Sequence, residues 1–253
     1  MVRIDWRETL TRLGVAVAVM IGAAQAFAAT VTVQIESNAG GYDAYSTTVE
    51  ATPNPDGTFS VAGLGYGAGG SFSCDWSIVL DQDPQMTSNV NLTNLSPVAT
   101  QFTMTITLPI GLFGPATLRG GYFGDTANGT TFTDTSGNSD VTLSTFGGNP
   151  FYQALVNGIL SQGLGSFTLN ENGGSGIQGN LSQQRWGDTP SIPSAPFGPA
   201  SGNMQIKWMF SLTGGDSMQT QGFFRIDAVA PEPATAALVG LGLVALVVAR
   251  RRA

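Results

Sequence analysis

Apolar and polar residues alternate one by one along several stretches of the chain. Val31, Val33 and Ile35 alternate with Thr32, Gln34 and Glu36. Phe72, Cys74, Trp76, Ile78 and Leu80 follow the same rule against Ser71, Ser73, Asp75 and Ser77. Phe102, Met104, Ile106 and Leu108 do so against Gln101, Thr103, Thr105 and Thr107, and Ile206, Trp208, Phe210 and Leu212 form a fourth run. Phe224, Ile226 and Ala228 close the series, and weaker runs lie at 58–61, 90–93 and 141–145. A period of two sends successive side chains to opposite faces of a strand. Each run therefore has one apolar face and one face rich in Thr and Ser, the pattern of antiparallel sheets wetted on one side. Turns rich in Gly and Pro separate the runs. The pattern predicts an all-β fold, an antiparallel two-sheet sandwich of jelly-roll-like form.

One segment follows a different rule. Asn149-Pro150 precedes FYQALVNGILSQG, in which Phe151, Leu155 and Ile159 recur at four-residue spacing. Asn149 suits a helix cap, Pro150 a first helical position and Gly163 a C-terminal stop, so this segment predicts one short helix. Residues 125–138 and 170–203 are polar and rich in Gly and read as long loops.

Both ends carry their own pattern. Arg3, Arg7 and Arg12 precede an apolar run from Leu13 to Ala24, and Ala26-Phe27-Ala28 follows. A basic start, a short apolar run and a small-x-small site predict a signal peptide over 1–28, cleaved after Ala28, with Ala26 and Ala28 as the recognised small residues. At the other end Pro231-Glu232-Pro233 is followed by an apolar segment, 234–249, and then by Arg250, Arg251 and Arg252. As a transmembrane helix that segment spans ~24 Å, and the arginines place its end in the cytoplasm. Two prolines keep the preceding motif extended.

These three parts, in this order, are similar to a PEP-CTERM sorting domain. The resemblance covers the tail, 231–253, and implies that an exosortase, a membrane-embedded peptidase, processes the chain as its substrate. Pro231, Glu232, Pro233 and Arg250 to Arg252 would then be the sorting signal. The protein would sit in the inner membrane before processing and reach the cell surface or extracellular matrix afterwards. The bacteria in which such tails are typical make exopolysaccharide and biofilm matrix, which makes exopolysaccharide a candidate partner.

Charge narrows the function of the remaining domain, 29–230. The chain has 10 basic and 17 acidic residues. Within the domain only Arg119, Arg185, Lys207 and Arg225 are basic against 14 acids, a net charge of −10. Such a domain lacks the basic footprint of a nucleic-acid binder. With no His and one Cys, the chain has no Ser-His-Asp or Cys-His system, no His-containing zinc site and no intrachain disulfide.

No catalytic, cofactor-binding or metal-ligating residue is assigned from the sequence. Gly65-Tyr66-Gly67-Ala68-Gly69-Gly70 spells a dinucleotide fingerprint, but a strand follows it where a helix is required. Asp81 and Asp83, or Asp134 and Asp140, have calcium-like spacing, yet Asp, Asn and Ser are also the ordinary residues of turns. Trp186, in a polar loop, either stacks on sugars or plugs an end of the sandwich. The leading expectation is an exported, non-enzymatic surface or matrix protein. A carbohydrate-binding module is the alternative, and a polysaccharide hydrolase is a third reading that needs two facing carboxylates.

Overall fold

The computed structural model describes residues 30–39, 41–81, 84–113, 116–123, 130–187, 195–197 and 200–228. The signal segment with Ala26 and Ala28, Asp83, the sorting residues Pro231, Glu232, Pro233 and Arg250 to Arg252, and the apolar segment 234–249 lie outside the described residues.

The alternating runs form strands that pair into two antiparallel sheets. The eight-stranded sheet runs in the order β12 (Ile159–Leu164), β11 (Tyr152–Val156), β17 (Ala200–Leu212), β7 (Thr100–Phe113), β1 (Thr30–Ser37), β2 (Asp43–Glu50). β10 (Asp140–Ser144) joins it on β17, and β13 (Thr168–Asn172) pairs with β10. The ten-stranded sheet runs β14 (Gln178–Leu181), β9 (Thr130–Thr133), β18 (Ser217–Ala228), β6 (Gln85–Asn94), β5 (Phe72–Asp81), β4 (Phe59–Tyr66), β3 (Thr52–Pro53). β8 (Ala116–Phe123) pairs with β18 and carries β15 (Gln184–Trp186) and β16 (Ala195–Phe197) on its other side. β18 is thus held from both sides, by β6 over 217–225 and by β8 over 221–228.

The apolar faces meet between the sheets. Val31, Val33 and Ile35 of β1 are fully buried, as are Phe102 and Ile106 of β7, Trp208 of β17, Phe72 and Ile78 of β5 and Phe224 of β18. Removing each such large side chain from water contributes roughly 1.5–3 kcal/mol. Aromatic pairs join the layers: Phe72 meets Phe102 edge-on with centroids 5.9 Å apart. A polar node closes one end. Asn94, fully buried, donates through Nδ2 to the carbonyls of Val98, Leu212 and Thr213 at 2.9–3.0 Å and accepts the Ser96 N–H at 3.0 Å. One amide therefore ties the β6–β7 loop to the β17–β18 turn.

Two expectations are corrected, and the two readings of Trp186 are resolved. Among the described residues there is no helix, and the segment after Pro150 is the β11–β12 hairpin. Asn157 and Gly158 form its two-residue turn with φ of 54° and 76°, the left-handed geometry that matches strand twist in a tight hairpin. Tyr152, Ala154 and Val156 point inward and are buried, so the period of two prevails over the four-residue spacing. The stretch 170–203 holds β14, β15 and β16, and 125–138 holds β9. In β14 the alternating signal is missing because a neighbour fills the inward place: the Phe132 ring occupies the space a side chain at Gly179 would take. Trp186 is 0 % exposed and packs on Phe224 with centroids 6.3 Å apart, so it plugs the sandwich and presents no stacking face.

Candidate functional site

The two outer faces differ. On the eight-stranded sheet one outward row is hydroxyl-rich. Thr48, Thr32, Thr107 and Gln205 stand in register across four strands, with Thr32 and Thr48 hydroxyls 3.0 Å apart and Gln205 Nε2 donating to Thr107 Oγ1 at 3.0 Å.

The outer face of the ten-stranded sheet is built from longer amides and acids. One row crosses six strands: Leu64 opposite Asp75, Asp75 opposite Asn91, Asn91 opposite Gln219, Gln219 opposite Thr131, and Thr131 opposite Asn180. The next row places Ala62 opposite Ser77, Ser77 opposite Asn89, and Asn89 opposite Gln221. Asn91 Nδ2 donates to Asp75 Oδ2 at 3.0 Å. A depression of about 450 Å³ opens between the rows, lined by Ala62, Leu64, Asp75, Ser77 and Asn89 over the backbone of Gly63 and Trp76. It exists because Ala62 and Ser77 are short where their neighbours are long.

Farther along the same face the positive charge collects. Arg119 and Arg225 are directly opposed in register, and both pair with Asp227. Arg185 lies over the Phe223 ring, 5.9 Å from its centroid, within reach of a cation–π contact.

Of the acids suggested by spacing, Asp134 serves the backbone. Asp134 Oδ1 accepts the Gly137 N–H at 2.7 Å and the Ser136 hydroxyl at 2.9 Å, and Oδ2 accepts the N–H groups of Ser139 and Gly176 at 3.0 and 3.3 Å. A carboxylate ringed by donors leaves little room for a cation, which needs acceptors around it. Burial pushes the Asp134 carboxyl up, but these bonds outweigh it and hold it below the ordinary carboxylate range. Asp81 ends β5 on the outer face. Among the described residues no group of three or more Asp, Glu or Cys side chains is placed to hold a metal.

The glycine run is likewise occupied from within. It wraps the Asp43 carboxylate, which accepts the Gly69 N–H at 2.8 Å, the Ser71 N–H at 3.1 Å and the Ser71 hydroxyl at 2.6 Å. A side chain at Gly67 would collide with that carboxylate. Burial again pushes the carboxyl up, and the hydrogen bonds from Gly69 and Ser71 bring it below its usual value.

The sequence reading misses Leu64, Asp75, Asn89 and Asn91 as a group. Its one available signal is inverted polarity on β4, where Gly63 and Gly65 take inward places and Leu64 and Tyr66 outward ones.

Two solved structures overlap the chain at low identity. TmCBM61 in complex with β-1,4-galactotriose is 12 % identical over 59 % of this chain and 88 % of its own, with a TM-score of 0.21. A family 11 carbohydrate-binding module from Clostridium thermocellum, in complex with a β-1,3-1,4-mixed-linked tetrasaccharide, is 11 % identical over 71 % and 95 %, with a TM-score of 0.22. No curated protein matches this chain. The tail does match: residues 229–252, directly after the last strand, carry the PEP-CTERM protein-sorting motif.

Proposed function

We propose that this is an exported, non-enzymatic surface or matrix protein that an exosortase sorts through its tail. The sorting motif at 229–252 carries the reading. It implies export and membrane anchoring before processing, with the sandwich on the outer side. The signal peptide, cleaved after Ala28, supplies entry; Pro231-Glu232-Pro233 is presented to the peptidase, and Arg250 to Arg252 fix the depth of the 234–249 helix. The cell surface or extracellular matrix is the destination, and exopolysaccharide the setting.

The non-enzymatic part is supported by what the acids do. Asp43 and Asp134 cap backbone N–H groups, Asp227 holds two arginines, and Asp75 is tied to Asn91. A second reading, that the domain binds polysaccharide, is favoured by the amide rows and the depression on the ten-stranded sheet.

The test is the mass of the C-terminal peptide and the membrane fraction in cells with and without an active exosortase. Wild type loses Arg250 to Arg252 only where the enzyme is active, Glu232→Ala keeps them, and the extracellular N-terminus reads from Ala29. Wild type that keeps Arg252 in both backgrounds refutes sorting.

A further inference from the structure

On β4 two large apolar side chains face solvent side by side. Leu64 is 65 % exposed and Tyr66 61 % exposed, and their neighbours in register, Asp75 and Ser73, are polar. The depression begins at Leu64. On its wall Asn89 has an amide oxygen that accepts no hydrogen bond among the described residues. We propose that this corner of the ten-stranded sheet is a subsite for a neutral hexose polysaccharide, laid across the strands from Leu64 toward Gln219. The inference rests on the polysaccharide-binding reading and gives it a location and a ligand class.

The chemistry selects the occupant. A pyranose ring has an apolar face of C–H groups and a rim of hydroxyls that donate and accept. Leu64 and Tyr66 form an apolar strip two residues long, ~6.6 Å, which suits one such face. Asp75 accepts from hydroxyls, while Asn91 and Gln219 offer both donors and acceptors. The Asn91 bond fixes the Asp75 carboxylate before a ligand arrives, which lowers the ordering cost of binding. The row crosses neighbouring strands every ~4.8 Å, close to the length of one hexose unit, so successive sugars meet successive strands.

Other ligand classes fit less well. The row from Leu64 to Asn180 has one carboxylate and no cation, within a domain of net charge −10, so a polyanion is repelled. Two apolar side chains are too few for the core of a stable protein interface, which takes roughly 800 Å² per partner.

Affinity electrophoresis tests the subsite with the full-length chain in a zwitterionic, sugar-free detergent. The gels contain mixed-linkage β-glucan, galactan or dextran as neutral polymers, and polygalacturonate as the polyanion. At least one neutral polymer should retard wild type. Tyr66→Ala and Leu64→Ala, both at exposed positions, should each weaken that retardation by about tenfold, as expected for loss of a stacking or packing contact of ~1.4 kcal/mol. Lys207→Ala, on the other sheet opposite Thr105 and Gln153, should leave it unchanged. Retardation by none of the neutral polymers, by polygalacturonate alone, or to an equal extent in both variants and wild type overturns the proposal. Retardation by no neutral polymer refutes polysaccharide binding itself, whereas retardation that is equal in both variants and wild type refutes this subsite alone, so the two failures are distinguishable.

Discussion

Gly222 lies under the Trp208 indole: a side-chain carbon at position 222 would stand 2.5 Å from Trp208 Cζ2. The contact joins β18 of one sheet to β17 of the other. The indole is fully buried and meets the Tyr152 ring edge-on, with centroids 6.2 Å apart, so it has nowhere to retreat. Gly222→Ala should therefore cost about 1–3 kcal/mol by overpacking. At roughly 2–4 °C per kcal/mol for a domain of this size, thermal unfolding should show a clear fall in Tm. Trp208→Phe in the same chain should recover part of it; additive losses would show that the two residues do not share this space.

Acid should loosen the fold through Asp43 and Asp134. Both carboxyls titrate below their ordinary range when folded. A folded value below the unfolded one means the stabilisation is complete above the unfolded pKa, ~3.9, and is lost as pH falls through the folded one. Urea midpoints should change little through these two groups from neutrality to about pH 5 and decline below about pH 4. Asp43→Asn and Asp134→Asn should each lower the midpoint at neutral pH and flatten the acid decline. A decline unaltered in the double variant would assign it to other groups.

Cys74 should be inert. Its side chain is 3 % exposed between Phe72 and Trp76 on the inward face of β5. Burial first, and the Asp75 charge second, push its thiol up to about 12, so thiolate is scarce at neutral pH. Native protein should resist a thiol-specific chromogenic disulfide that labels the urea-unfolded chain at once. Cys74→Ala should cost ~1–2 kcal/mol through the small cavity left behind.

The β11–β12 turn should reject side chains at its second position. Gly158 has a φ of 76°, and a β-branched residue there pays ~1–2 kcal/mol or more of steric strain. Gly158→Val should speed amide hydrogen exchange across 152–164 more than in β5 and β6. Asn157 is held as well, its Oδ1 accepting the Asn203 N–H at 2.9 Å, so Asn157→Ala should have the same sign.

What the sequence reveals follows from locality. The runs around Val33, Trp76, Ile106, Trp208 and Ile226 are legible because each carries its own apolar face, and the burial of Cys74 follows from its place in one of them. The β11–β12 hairpin is misread because Phe151, Leu155 and Ile159 also satisfy helical spacing, although Asn157-Gly158 is a strong turn signal. Trp186 stays open between two readings because its flanks are polar, and the glycine it packs against, Gly120, lies more than sixty residues away in sequence. The outer-face rows are the least legible. Leu64, Asp75 and Asn91 meet only through register, and β4 hides its alternation because the Trp76 and Tyr45 rings occupy the space above Gly63 and Gly65. The tail is read most directly, since its signal is a linear order of residue types that needs no fold.

The position of β18 bears on how the protein withstands pulling. The sorting motif begins one residue after this strand ends at Ala228, and β18 is flanked on both sides by long neighbours. Ladder hydrogen bonds lie perpendicular to the strands. A tension drawn along β18 from a tethered tail therefore loads the β6 and β8 ladders in shear, many bonds at once, instead of peeling them singly. A sandwich hung from an interior strand can take mechanical load at its attachment point without first shedding an edge.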